Sequence, residues 1–161
     1  MRMLDTALSN ELLRFFERYL SFYREFLDVE SRKYDELAGN SPERLLEHVK
    51  LEEVCMLQSK GLEQERERLM NRAGAGSLTF SQLIGLFEEP ARGQAQAVYD
   101  ELRGVILDLK ATNERCNTLA ELRMRRTQAK LRELEHPARA GQNPAPQSGG
   151  RKPAGAYSKK I

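Results

Sequence analysis

Glu11-Leu-Leu-Arg-Phe-Phe-Glu-Arg-Tyr-Leu-Ser-Phe-Tyr-Arg-Glu-Phe-Leu27 is the stretch that decides the fold. Seven of the chain's eleven aromatic residues lie between Phe15 and Tyr34. Leu13, Phe16, Leu20, Tyr23, Leu27, Tyr34 and Leu37 recur at alternating steps of three and four, with Glu30 as the one interruption. Such spacing lines one side of an α-helix. The spacing therefore predicts a long buried helix over about residues 8–38. No period-two alternation is long enough to argue for a sheet.

Working outward, Gly39-Asn40 offers left-handed chemistry to end that helix, and Ser41-Pro42 offers an N-cap with proline at the first position of the next. Helices joined by so short a link pack antiparallel. The second helix, about 42–72, carries Leu45, Val49, Met56, Leu62 and Leu69 on a narrow stripe and much charge beside it (Glu63, Glu65, Arg66, Glu67, Arg68). Gly61 in its middle reads equally as a close helix crossing or as a tolerated defect. Ala73-Gly-Ala-Gly76 stops the helix. Thr79 with Gln82 then forms a capping box, with Leu78 and Leu83 as its hydrophobic staple. A short helix over about 80–88, ended by Pro90, presents Phe80, Leu83, Ile84 and Phe87 to plug one end of a bundle.

The last helix is predicted from about Arg92 to His136, where Pro137 stops it. Forty-five residues span about 67 Å, against about 46 Å for each of the first two helices. Its seam reads Val98, Leu102, Ile106, Leu109, Asn113, Cys116, Ala120, Arg123, Thr127 and Leu131. Beyond Leu109 that seam is expected to be too polar to pack on the aromatic helix. The fold class is thus all-α: an elongated antiparallel helical bundle or coiled coil with a long C-terminal helix. Residues 1–136 form the helical domain. Residues 137–161 form a Pro/Gly-rich basic tail, expected to be disordered because it cannot bury enough apolar surface to offset chain entropy.

Composition excludes several function classes. The 161 residues are 40% hydrophobic and 31% charged with no Trp, so the core is thin. The net charge of +2 conceals a tail of +5 (Arg139, Arg151, Lys152, Lys159, Lys160) and a remainder of −3. A negative folded part is no platform for nucleic acid, and five scattered cations are a weak case for phosphate binding. No apolar run approaches the length of a membrane span or a signal-peptide core. Cys55 and Cys116 are the only cysteines, which fits a reducing cytoplasm. His48 and His136 lie far apart and neither cysteine has a neighbouring ligand, so no metal site is expected. No nucleophile has a base beside it. Gly74-Ala-Gly76 lacks the Gly-Lys-Ser/Thr of a phosphate loop. No catalytic residues and no cofactor are expected; the protein reads as a binding protein.

Asn113 and Asn117 share one helix face where the apolar seam fades. Two readings stand: polar residues that fix register at a cost in stability, or part of a partner-binding stripe.

The layout resembles the FlgN family of flagellar export chaperones. The residues that carry the resemblance are Glu11–Leu20 continuing to Leu37, the run Leu62–Met70, and the capped turn Ser77–Leu83. Asn113-Glu-Arg-Cys-Asn117, followed by Leu119 and Leu122, and Ala156-Tyr-Ser158 in the tail complete it. The resemblance implies a cytoplasmic, non-enzymatic chaperone. It would keep hook-associated proteins of the hook–filament junction soluble and deliver them to the flagellar type III secretion apparatus. By position it points to Leu109, Asn113, Asn117, Leu119, Leu122, Leu131 and Leu134 as client-binding, taking a helical terminal segment of the client in the helix-in-groove manner. The competing reading is a structural coiled-coil adaptor that self-associates into a homo-oligomer through the C-terminal helix.

Overall fold

The computed structural model describes residues 2–39 and 41–135; the tail and Tyr157 lie outside them. The first helix, α1 (Thr6–Ala38), starts before the expected position because Asp5 caps it. The Asp5 carboxylate accepts the Leu8 backbone N–H at 2.7 Å, satisfying one of the orphan donors of the first turn. The left-handed stop expected at Gly39 is not used there: Gly39 is extended (φ −84°, ψ −172°) and donates to the Asp35 and Glu36 carbonyls.

That stop appears instead at the end of α2 (Pro42–Arg72), where Gly74 takes φ 67°. Gly74 N–H bonds to the Asn71 carbonyl at 3.0 Å and Ala75 N–H to the Met70 carbonyl at 2.9 Å, the paired closure that a left-handed glycine permits. Ser41 caps α2 as expected, accepting from Arg44 N–H. The capping box is present: Gln82 N–H donates to Thr79 Oγ1 and Thr79 N–H to Gln82 Oε1. The helix it starts, α3 (Phe80–Ile84), is one turn rather than two, since the chain turns away at Gly85 before delivering Phe87 to the core. The last helix is α4 (Ala91–Glu135).

Consecutive long helices run antiparallel, so α1 and α4 are parallel with α1 in contact with both others. The α1–α2 pairing is fixed by Arg72 to Glu11, Arg18 to Glu65, Tyr19 Oη to Glu63, Tyr23 Oη with Ser59 Oγ, and Lys33 to Glu52. The α1–α4 pairing runs from Arg24 with Glu101 to Cys116 Sγ, which donates to the Glu30 carbonyl, and Arg123, which donates to the Ala38 carbonyl. Among the described residues α2 and α4 nowhere approach within 8 Å at Cα. The central helix therefore has to be apolar on more than one side, which is why the aromatics cluster on it.

The buried seam of α1 is Leu12, Phe16, Tyr19, Tyr23, Phe26, Glu30, Lys33 and Leu37. Phe15 and Phe22 widen it toward the N-terminal end. The expected stripe is buried at Leu13, Phe16, Leu20, Tyr23 and Leu37 and departs from the core at the two positions around Glu30. Tyr34 is exposed, Leu27 is half-buried, and Glu30, read as the interruption, is fully buried. Phe16 stacks on Phe80 of α3 with ring centroids 3.7 Å apart, and Phe80 meets Tyr99 of α4 edge-on. The short helix thus closes the end of the bundle, as its apolar face requires.

Gly61 does not mark a close crossing: a Cβ built there meets nothing within 4 Å. Gly61→Ala is therefore expected to raise stability by about 1 kcal/mol, the difference in helix propensity. Urea denaturation followed by circular dichroism measures it; a loss would mean that the site is crowded after all.

Candidate functional site

All three long helices turn polar at one level. Glu30 and Lys33 of α1 face Glu52 and Cys55 of α2 and Thr112, Asn113 and Cys116 of α4, and every one of these is buried. Lys33 Nζ lies 2.7 Å from Glu52 Oε2. Among the described residues no N–H or O–H group donates to either Glu30 carboxyl oxygen. Burial above all, then Glu52 as a neighbouring charge and proton acceptor, outweigh Lys33 and push the Glu30 carboxyl up to about 8. The Lys33 ammonium is raised: burial opposes its charge, but the bond to Glu52 and the two nearby carboxylates prevail. The same burial pushes the Cys116 thiol up to about 11 and raises that of Cys55. Thiols held so far above neutrality are poor nucleophiles.

This polar level corrects the reading of the α4 seam. Leu109 is fully buried in the core, and Thr112, Asn113 and Cys116 are buried beyond it. The seam packs on α1 past Leu109 because α1 is no longer aromatic there, so polar groups meet polar groups. Asn113 lies inside this intramolecular seam, and its Oδ1 accepts from the half-buried Asn117 Nδ2 at 3.0 Å. Leu109 and Asn113, which the resemblance points to as client-binding, are thus packed at home and offer no free surface.

Among the described residues the covering ends with α1. Arg123 reaches the Ala38 carbonyl, and every residue from 124 to 135 is exposed. That overhang is about 18 Å of helix. It continues the seam with Thr127, Leu131 and Leu134, the two leucines 51% and 78% exposed. Met124, at 61%, was not among the expected residues, although its place beside Arg123 in the seam was a readable signal. Just before the overhang a shallow groove of about 490 Å³ is lined by Tyr34, Ala111, Glu114, Arg115, Thr118, Leu119 and Leu122. The Arg115 guanidinium sits 5.8 Å over the Tyr34 ring. Leu119 is half-buried and Leu122 exposed. Tyr34 belongs to this groove rather than to the core, which sequence periodicity could not separate from the buried stripe.

Electrostatically the end of α4 is one-sided. Between Glu121 and Glu133 lie Arg123, Arg125, Arg126, Lys130 and Arg132 with no acid. Among the described residues no group of three or more His, Cys, Asp or Glu is placed to hold a metal ion, and no helix is long and apolar enough to cross a membrane. What the arrangement offers is a basic helix with an uncovered apolar stripe and a groove at its base.

No curated protein and no solved structure is matched by the chain. The family model described as FlgN protein matches residues 1–143, all the described helices included. With most of its length matched, the chain belongs to the FlgN family, a family of flagellar export chaperones.

Proposed function

We propose that this protein is a cytoplasmic chaperone for hook-associated proteins of the hook–filament junction. It holds them soluble and passes them to the flagellar type III secretion apparatus. The client supplies an amphipathic helix from a terminal segment. That helix lies along the end of α4, on Asn117, Leu119, Leu122, Leu131 and Leu134 together with Met124 and Tyr34. The observation that carries this reading is the overhang, where the α4 seam runs on past the last residue of α1 with nothing among the described residues over its leucines. Covering a client's apolar face there keeps that face from aggregating. The basic run calls for a client helix with acidic residues beside its apolar stripe, and binding that weakens with salt.

Leu119→Asp with Leu122→Asp places two carboxylates in the groove while leaving the core intact. Isothermal titration with the terminal segments of candidate junction proteins is expected to show binding to the wild type and none to the double variant, at nearly unchanged helical content. Deleting residues 138–161 is expected to weaken binding less. Undiminished binding by the double variant, or complete loss on tail deletion alone, contradicts the site. If no junction protein binds the wild type, the self-associating adaptor becomes the better reading.

A further inference from the structure

The connected apolar core stops short of one end of the bundle. In that direction its buried residues reach Phe26 on α1, Cys55 on α2 and Leu109 on α4. Beyond them lies the polar level, with Glu30, Lys33, Glu52, Thr112, Asn113 and Cys116 all buried. Past that level Leu37 is the one buried apolar residue among the described residues of α1, and no described residue of α2 before Glu52 is buried. Polar groups therefore separate the tip of the α1–α2 hairpin, residues 31–38 and 42–51, from the core. Among the described residues the contacts that tie this end to α4 include the Cys116 thiol on the Glu30 carbonyl at 3.6 Å and Arg123 on the Ala38 carbonyl at 3.3 Å. The Arg115 guanidinium over the Tyr34 ring adds a third. A segment with few buried apolar contacts opens at lower cost than the rest of its protein.

The polar level holds one ammonium for two carboxyls. Lys33 Nζ is 2.7 Å from Glu52 Oε2, and Glu30 is fully buried beside them. The one cation balances one carboxylate, so Glu30 stays enclosed as the acid and donates its proton to Glu52. Cys55 of α2 and Cys116 of α4 also face it, and burial raises both thiols, so they stay neutral. We infer that the hairpin tip is a proton-controlled latch: it lies closed on α4 while Glu30 is protonated, and when Glu30 ionises it lifts away from an otherwise intact bundle and bares Thr112, Asn113 and Cys116. In the open tip the hydrated carboxyl ionises near 4.5, whereas the closed tip keeps its proton up to about 8. Support for closure is therefore complete below 4.5, falls as pH rises between the two values, and changes no further above about 8. The bared seam runs into the groove at Leu119 and Leu122, so opening lengthens the helix surface that α4 presents. The latch is a property of the free protein and does not rest on the client reading.

Hydrogen exchange of the full-length protein without a partner, expressed as protection relative to the intrinsic rate at each pH, tests the latch. Protection of residues 31–38 is expected to fall about tenfold or more between pH 6 and 8. Residues 12–26 are expected to stay at least about tenfold better protected at both pH values, because the core stays closed. At pH 8, alkylation of Cys116 by N-ethylmaleimide is expected to be about tenfold or more faster in the wild type than in Glu30→Gln, which cannot ionise. His48, 3.7 Å from Glu36 at the tip, is present in both proteins, so the difference isolates Glu30. Glu52→Gln leaves Lys33 to pair with Glu30, which then ionises in the closed state, and is expected to flatten the pH dependence. Circular dichroism controls for folding. Equal protection of residues 31–38 and 12–26 would mean that the tip opens only with the whole protein. That result, a tip indifferent to pH, Cys116 labelling unchanged in Glu30→Gln, or a wild-type slope in Glu52→Gln overturns the proposal.

Discussion

Phe16→Ala is expected to unfold much of the protein at temperatures where the wild type is intact. The ring is 1% exposed, stacked on Phe80 and edge-on to Phe15. It is the point where α1 grips the short helix that closes the bundle. Truncating a buried phenylalanine costs about 3–5 kcal/mol through lost transfer energy and the cavity left behind. Ordinary domains have only about 5–15 kcal/mol in total, and a bundle one helix thick around α1 has little in reserve. Leu134→Ala, at 78% exposure, is expected to change stability by no more than about 0.5 kcal/mol. Thermal and urea melts compare the two. Equal losses would mean that the end of α4 is packed in the free protein.

The second large effect belongs to the buried charges. Lys33→Met leaves Glu52 buried without its cation, beside Glu30, and removing one partner of a buried pair costs about 3–5 kcal/mol. Glu30 adds a pH dependence whose sign follows from its raised pKa. Below 4.5 the carboxyl is protonated in both folded and unfolded chains, and its contribution is intact. As pH rises from there, the unfolded chain loses the proton while the folded chain keeps it, up to about 8. Stability therefore falls across that interval and levels off above it. Glu30→Gln, which keeps the shape but cannot ionise, is expected to flatten the fall and to be more stable than wild type at pH 8. A wild-type melting temperature that rises between pH 5 and 8, or a variant with the same slope, contradicts this. Glu63, raised by burial over the pull of Arg66, contributes a fall of the same sign in both proteins.

Sequence read well wherever a local residue type has one physical use. Ser41-Pro42, the Thr79–Gln82 box and the Ala73–Gly76 stop all lie where their chemistry put them. The seam of α1 was legible from Leu13 to Tyr23 and at Leu37, and was misplaced only between them. Choosing apolar residues favoured Leu27 and Tyr34 over Glu30 and Lys33. Only the presence of Glu52 on α2 makes the charged pair the buried one. The polar half of α4 was misread for the same reason. Thr112, Asn113 and Cys116 look unfit for a core until the facing helix is seen to be polar at that level. Of the expected client residues, Leu131 and Leu134 lie on uncovered helix, Leu122 is exposed, and Leu119 and Asn117 are half-buried. Leu109 and Asn113 required the structure, because a seam residue looks alike whether its partner is in the same chain or another.

The central claim is that the uncovered end of α4 is where a client helix binds. Amide hydrogen exchange across α4, with and without the terminal segment of a junction protein, tests it most directly. In the free protein residues 124–135 are expected to exchange far faster than residues 95–116, since no neighbour among the described residues secures their hydrogen bonds. Adding the client segment is expected to slow exchange over roughly residues 117–135 and to leave α2 unchanged. Binding that leaves the end of α4 as fast as before, or that protects α2 instead, contradicts the account.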